Sequence, residues 1–256
     1  MLAATLDKLY TLAPLVIAHR GASFSAPENT LAAFGLAREI GADGIELDTS
    51  LTSDDIPVVI HNLTLEHTTN GTGPVRDLDL SAIKALDAGS HFSPKFRGEQ
   101  IPTLDEVFET IGPQLIVNIE LKSISSRANG LEPAVASVIQ RHNAGQRVIV
   151  SSFNPFALRR FRTAALDIPL GYLVSPDEPL YLRQDWLLAG VRYQARHPED
   201  IMVDAHYMAK TKRRGYRVNV WTVDDPERII QLQALGVDGI ITNRPDVALQ
   251  ALGRGR

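Results

Sequence analysis

The chain has 256 residues, 44% of them hydrophobic, enough to bury one large core and the usual size of a single (β/α)-barrel domain. A formal charge of −4 with no acidic or basic block argues against a nucleic-acid partner and against a polybasic membrane anchor. The absence of cysteine excludes disulfides, thiolate metal sites and thiol nucleophiles.

The opening residues, "MLAATLDKLYTLAP", carry Asp7 and Lys8 inside what would have to be the apolar region of an export signal, and no membrane span is readable, so the expected location is cytoplasmic. "PLVIAH" to His19 reads as the first strand, followed by a helix in "TLAAFGLAREIGA". "DGIELDTSL" from Asp43 is the second strand. "PVVIH", from Pro57 to His61, follows too soon for a parallel crossover and is expected to return antiparallel beside Leu47 and Asp48. The stretch from Asn62 to about Ile101 reads as an insertion over the barrel mouth, either a functional loop or a small subdomain, so that residues 52–101 form a return strand plus insertion within one domain spanning 1–256. Helices in "TLDEVFETIG", "LEPAVASVIQRH", "PFALRRFRTAA", "AHYMAKTKRRG" and "PERIIQLQALG" then alternate with strands in "LIVNIELK", "RVIVSSF", "IPLGYLV", "GVRYQA", "RVNVWTV" and "DGIITN". Eight parallel strands alternating with helices, and no Gly-rich dinucleotide or phosphate loop after the first strand, favour an α/β TIM barrel with a small insertion after strand two.

On such a barrel the residues that end the strands converge on one site. They are His19 and Arg20, Glu46 and Asp48, Glu120 and Lys122, and Trp221. Glu46 and Asp48 are two residues apart, as are Glu120 and Lys122, so each pair shares a face. Three adjacent carboxylates repel unless a cation neutralises them, and an all-oxygen set suits Mg²⁺ or Ca²⁺ better than Zn²⁺. Arg20 and Lys122 would add positive charge suited to an anionic phosphoryl group, and His19 and His61 could divide acid and base duties. The alternative is that Arg20 and Lys122 only pair with the carboxylates and no metal binds.

The ordered motifs "AHRGASFSAPENT", "GIELDTSLTSDDIPVVIH", "TTNGTG", "NIELK", "VSSF", "VNVWTVDDPE" and "GVDGIITNRPD" resemble the glycerophosphodiester phosphodiesterase family from about Val16 to Asp246. The resemblance implies metal-dependent hydrolysis of glycerophosphodiesters to glycerol 3-phosphate and an alcohol, on a TIM barrel. It implies His19 and His61 as catalytic, Arg20 as phosphate-binding with Lys122 nearby, and Glu46, Asp48 and Glu120 as metal ligands. Trp221 would line the glycerol. The chain departs from the family pattern at Asn62, where Asp is usual, at His67, where Arg is usual, and at Ile56, where Gly is common.

Locally, Asn29 or Thr30 reads as a helix N-cap, with a supporting role at the site as the alternative for Glu28 and Asn29, and "TKRR" from Thr211 reads as the solvated last turn of a helix. His67, His91, His142, His197 and His206 read as surface or structural. Two rival functions remain: turnover of lysophospholipids, with an acyl channel supplied or blocked around "DAGSHFSPKF", and a non-catalytic phosphate-binding relative.

Overall fold

Short apolar runs with no polar face can satisfy their backbone groups only by pairing on both sides, and here they close a ring. The computed structural model describes residues 9–12, 14–184 and 186–255; Asp7 and Lys8, with the rest of residues 1–8, lie outside them. Its strands are β1 (Leu15–His19), β2 (Gly44–Leu51), β3 (Pro57–Val59), β4 (Ile116–Leu121), β5 (Val148–Ser152), β6 (Leu170–Val174), β7 (Ala195–Pro198), β8 (Arg217–Val220) and β9 (Gly239–Thr242). They are ordered β1-β9-β8-β7-β6-β5-β4-β2, and a further parallel pairing of β1 with β2 closes a barrel of eight strands. Outside this ring, β3 pairs antiparallel with the end of β2, with Thr49 opposite Val59 and Leu51 opposite Pro57. The return from β2 is made at Asp55, whose φ of 63° supplies the left-handed residue of the turn, so Ile56 needs no such conformation.

The period of two on each strand divides the molecule into layers. Ile45, Leu47, Val117, Ile119 and Val150 face outward, into one cluster with Phe34 of α1 (Leu31–Ile40), Val107 of α3 (Leu104–Ile111) and Leu158 of α5 (Pro155–Ala164). Ile17, Ile149 and Ile241 face inward with Leu9, Tyr10 and Leu15, leaving Glu46, Asp48 and Glu120 the inward positions nearer the strand ends.

The helices α4 (Leu131–Arg141), α7 (Ala205–Arg213) and α8 (Pro226–Ala234) lie where their periodicity predicts, and "TKRR" does end α7. One expectation is corrected. The strand anticipated in "GVRYQA" is β7, displaced along the chain to "ARHP": Val191 and Tyr193 are buried in the outer cluster, and it is Ala195 to Pro198 that register with Gly171 to Val174. The insertion holds a short helix, α2 (Leu80–Lys84), and its own apolar cluster of Val58, Ile60, Leu65, Val75, Ile83, Ala88 and Ile101. Two further short helices, α6 (Leu180–Arg183) and α9 (Pro245–Ala251), follow β6 and β9.

Candidate active site

β1 ends at His19, and the chain then bends sharply: Arg20 takes a φ of 56° and Gly21 one of 84°. A side chain at Gly21 would put its Cβ 2.6 Å from that of Ala33, so only glycine allows α1 this close. The bend aims the Arg20 amide at Glu46 Oε2, 3.2 Å away. The Arg20 guanidinium chelates both oxygens of Glu28, at 3.0 and 3.1 Å, and its Nε lies 3.3 Å from Asp48 Oδ2. Thr30, not Asn29, caps α1. Asn29 is instead buried at a φ of 58°, where its Nδ2 donates to Asp48 Oδ2 at 2.8 Å and its Oδ1 accepts from the Asp48 amide at 3.3 Å.

Lys122 bridges two of the carboxylates, with Nζ 2.9 Å from Asp48 Oδ1 and 2.8 Å from Glu120 Oε1. Glu46, Asp48 and Glu120 are all buried, and each places an oxygen within 4.8 Å of the others. Burial disfavours charge on all three, and the balance differs at each. Burial, with Asp48 and Glu120 beside it, drives Glu46 well above the usual carboxylate range. Burial also lifts Glu120 to about 7 against the pull of Lys122. At Asp48 burial is outweighed by Lys122, Arg20 and His61, which hold it well below that range. Burial opposes the charge of Lys122 too, but Asp48 and Glu120 hold its pKa above normal. Arg20 and Lys122 thus keep Asp48 charged but leave Glu46 and Glu120 pressed toward their neutral forms, and a divalent ion such as Mg²⁺ or Ca²⁺ on this hard-oxygen set would let all three ionise.

His19 ends β1 and His61 follows β3, the two strands that pair in succession along the edge of β2 opposite β4. His19 Nε2 is 3.9 Å from Glu46 Oε2, and its Nδ1 is 2.7 Å from Asn243 Oδ1 at the end of β9. Burial, then the charge of Arg20, pushes His19 down to about 4, so it is neutral near pH 7. His61 follows β3, where the Ile60 amide donates to the Asp48 carbonyl at 3.0 Å; its Nδ1 meets Asn62 Oδ1 at 2.6 Å, and burial lowers its pKa against the attraction of Asp48. Trp221 directly follows β8, donates from Nε1 to the His197 carbonyl at 2.7 Å, and packs edge-on against Phe153 at 5.6 Å.

Phe153, Phe156, Tyr181, Leu182 and Leu187 line a cavity of about 540 Å³ that continues from Glu120 and Lys122. Its walls come from the segments after β4, β5 and β6, so the apolar space beside the acids is not built by "DAGSHFSPKF" in the insertion. His142 pairs with Asp105 at 2.9 Å, whereas His197 is buried inside the barrel, away from the surface. Around the named residues stand their partners: Glu28 beside Arg20 and Asn29 beside Asp48, both of which the sequence offered for a supporting role, and Asn243 beside His19, which it did not single out. For Asn243 the available signal was its place just beyond the last barrel strand.

The model of the glycerophosphoryl diester phosphodiesterase family matches residues 19–247. A glycerophosphodiester phosphodiesterase of Caldanaerobacter subterraneus subsp. tengcongensis is 44% identical over 244 residues, covering 94% of this chain and 98% of its own length. One of Bacillus subtilis is 31% identical over 255 residues, covering 91% and 84%. Among solved structures, an Oleispira antarctica phosphodiesterase in complex with its product sn-glycerol-3-phosphate superposes with a TM-score of 0.84 at 33% identity, covering 96% of this chain and 99% of the other. A glycerophosphodiester phosphodiesterase of Agrobacterium tumefaciens gives 0.80 at 29% identity, covering 93% and 99%. With a family match over nearly its whole length, a relative at 44% identity and the same barrel, the chain belongs to the glycerophosphoryl diester phosphodiesterase family and is an enzyme of it.

Proposed function

We propose that the enzyme hydrolyses glycerophosphodiesters to sn-glycerol 3-phosphate and an alcohol in a reaction that requires Mg²⁺ or Ca²⁺, with Glu46, Asp48 and Glu120 as the metal ligands. The observation that carries this reading is the buried group of three carboxylates bridged by Lys122 and flanked by Arg20. When bound, the cation would supply charge neutralisation at the non-bridging phosphoryl oxygens. Arg20 and Lys122 hold those same oxygens and gain strength as charge builds in the pentacoordinate state. His19, neutral near pH 7, takes the proton of the nucleophile. His61, nearer the surface, gives a proton to the leaving alkoxide from its imidazolium form, which facing Asp48 favours against burial, and the proton taken by His19 passes to solvent. The nucleophile is water or the substrate's own glycerol hydroxyl, which would pass through a cyclic phosphate. Trp221 and Phe153 wall the glycerol, and the segment 52–101 delivers His61 and covers the mouth of a single catalytic domain.

Phosphorus NMR of glycerophosphocholine with Mg²⁺ or Ca²⁺, against an EDTA control, tests the reaction. A metal-dependent monoester signal at glycerol 3-phosphate supports it, and turnover unaffected by EDTA removes the metal from the account. A second substrate class is favoured by the apolar cavity that continues from Glu120 and Lys122, which has room for one aliphatic chain of a lysophospholipid. Tyr181→Asp should then reduce lysophosphatidylcholine turnover at least tenfold while sparing glycerophosphocholine; equal effects on both would end this second reading.

A further inference from the structure

We propose that Asp224 is a positioning residue for His19, acting through the side-chain amide of Asn243. The inference rests on the proposed role of His19 as base, and concerns what makes its free nitrogen the right one.

Asp224 lies between β8 and α8, two residues before Pro226, and Asn243 and His19 end the neighbouring strands β9 and β1. One oxygen of Asp224 accepts from the Thr242 hydroxyl and from the Asn243 backbone amide, both at 2.8 Å. Its other oxygen accepts from Asn243 Nδ2 at 2.7 Å. A carboxylate only accepts, so the NH₂ end of the Asn243 amide must face Asp224 and its oxygen must face the other way. There Oδ1 meets the Ser23 hydroxyl at 2.9 Å and His19 Nδ1 at 2.7 Å. An amide oxygen cannot donate, so His19 carries its proton on Nδ1. The lone pair is then on Nε2, the nitrogen turned toward the acidic cluster at Glu46.

The chain of bonds therefore converts a fixed negative charge into a fixed tautomer. An amide has no proton to relay, so Asp224 works by orientation: it fixes which way the amide of Asn243 points, and the amide fixes the ring. Were the amide reversed, its NH₂ would face Nδ1, the proton would move to Nε2, and His19 would present a donor where a base is needed.

The test has two arms. Long-range ¹H–¹⁵N correlation of the wild-type imidazoles at pH 7 should show His19 protonated at Nδ1, and at Nε2 only if the inference is wrong. In Asp224→Asn, which is near-isosteric but lets the amide of Asn243 turn over, the same spectrum should show proton density shifting to Nε2. With glycerophosphocholine, kcat should fall about 10–100-fold in that variant, while KM and the divalent-ion concentration for half-maximal rate change less than threefold. A kcat within twofold of wild type, with the tautomer unchanged, overturns the proposal, and so does an equal loss in kcat and in metal affinity. If the variant does not fold, the wild-type tautomer together with Asn243→Ala decides in the same terms. Should the wild type fail to turn over glycerophosphodiesters at all, the functional reading falls, and the tautomer arm still judges the positioning.

Discussion

The residues of the site do two jobs at once, and their backbone shows it. Asn29 sits at a left-handed φ that asparagine tolerates and most side chains do not, so that a short amide can bracket Asp48 from both its carboxylate and its main chain. Asn29→Gly keeps that backbone conformation and deletes only the amide. It should weaken divalent-ion affinity by roughly 10–100-fold, read as the ion concentration for half-maximal rate; an unchanged value would show that Lys122 and Arg20 orient Asp48 alone. The same arrangement explains what the sequence concealed. "PENT" contains both a helix cap and a ligand-orienting amide, and local capping preference favours Asn29 if either, so it is the approach of β2 to this turn that decides that Thr30 caps and Asn29 reaches Asp48. Asn62 is a simpler case: adjacent in sequence to His61, it hydrogen-bonds that ring at 2.6 Å, as a neutral partner in place of the family's usual carboxylate.

At the scale of elements, the segment after β4 carries Lys122 and is tied down from outside the barrel by Arg160 of α5. Arg160 donates to Glu132 Oε1 at 2.7 and 3.0 Å, to the Ser126 carbonyl at 2.7 Å and to Ser123 Oγ at 3.1 Å. The Glu132 side chain is 1% exposed and that of Arg160 is 21% exposed. Arg160→Leu strands the glutamate and should cost about 3 kcal/mol, toward the low end for one partner of a buried pair because the arginine itself touches water. Urea denaturation measures it, and adding Glu132→Gln should recover part of the loss; no recovery would mean the damage is to packing instead. A second tie joins the insertion to the barrel. Thr103 and Glu106 form a reciprocal cap on α3, and Glu106 also pairs with Lys84 of α2 at 2.5 Å. Thr103→Ala should lower stability by about 1 kcal/mol in the same assay, with kcat unchanged.

Over the whole molecule, the carboxylate cluster and the barrel interior set how stability responds to metal and to acid. A divalent ion that binds only the folded chain stabilises it by about 2.7 kcal/mol at 100 times its Kd, or roughly 5–10 °C in Tm for a chain of this size. In Glu46→Gln that gain should be lost, whereas the metal-free Tm should not fall, since Glu46 there is pressed by two other carboxylates; differential scanning fluorimetry with and without EDTA reads both. His197 contributes to the acid dependence, as does His19, whose pKa burial also lowers. His197 is fully buried between strands, and burial lowers its pKa to about 3. The unfolded chain binds this proton near pH 6.5 and the folded one does not, so stability is complete above that pH and declines as pH falls toward 3. Between pH 8 and pH 5 the loss is about 2 kcal/mol, and His197→Asn should show a correspondingly shallower decline in urea midpoint over that interval.

By itself the sequence determined the alternation of strands and helices, the inward period of two that pairs Glu46 with Asp48 and Glu120 with Lys122, and the motif order of the family, because these depend on neighbours a few residues apart. It misplaced the strand at β7, where the apolar residues Val191 and Tyr193 pack against the outer layer and the strand itself is the polar "ARHP". Pairing with β6 and β8 selects that segment, and a pairing register belongs to two chains at once. The hydrogen bonds that orient the site are likewise long-range: Asn29 to Asp48, His19 to Asn243 and Asn243 to Asp224 each join different strands or loops. Closure of the barrel brings those partners within 3 Å, and no local preference encodes a contact between residues 19 and 243.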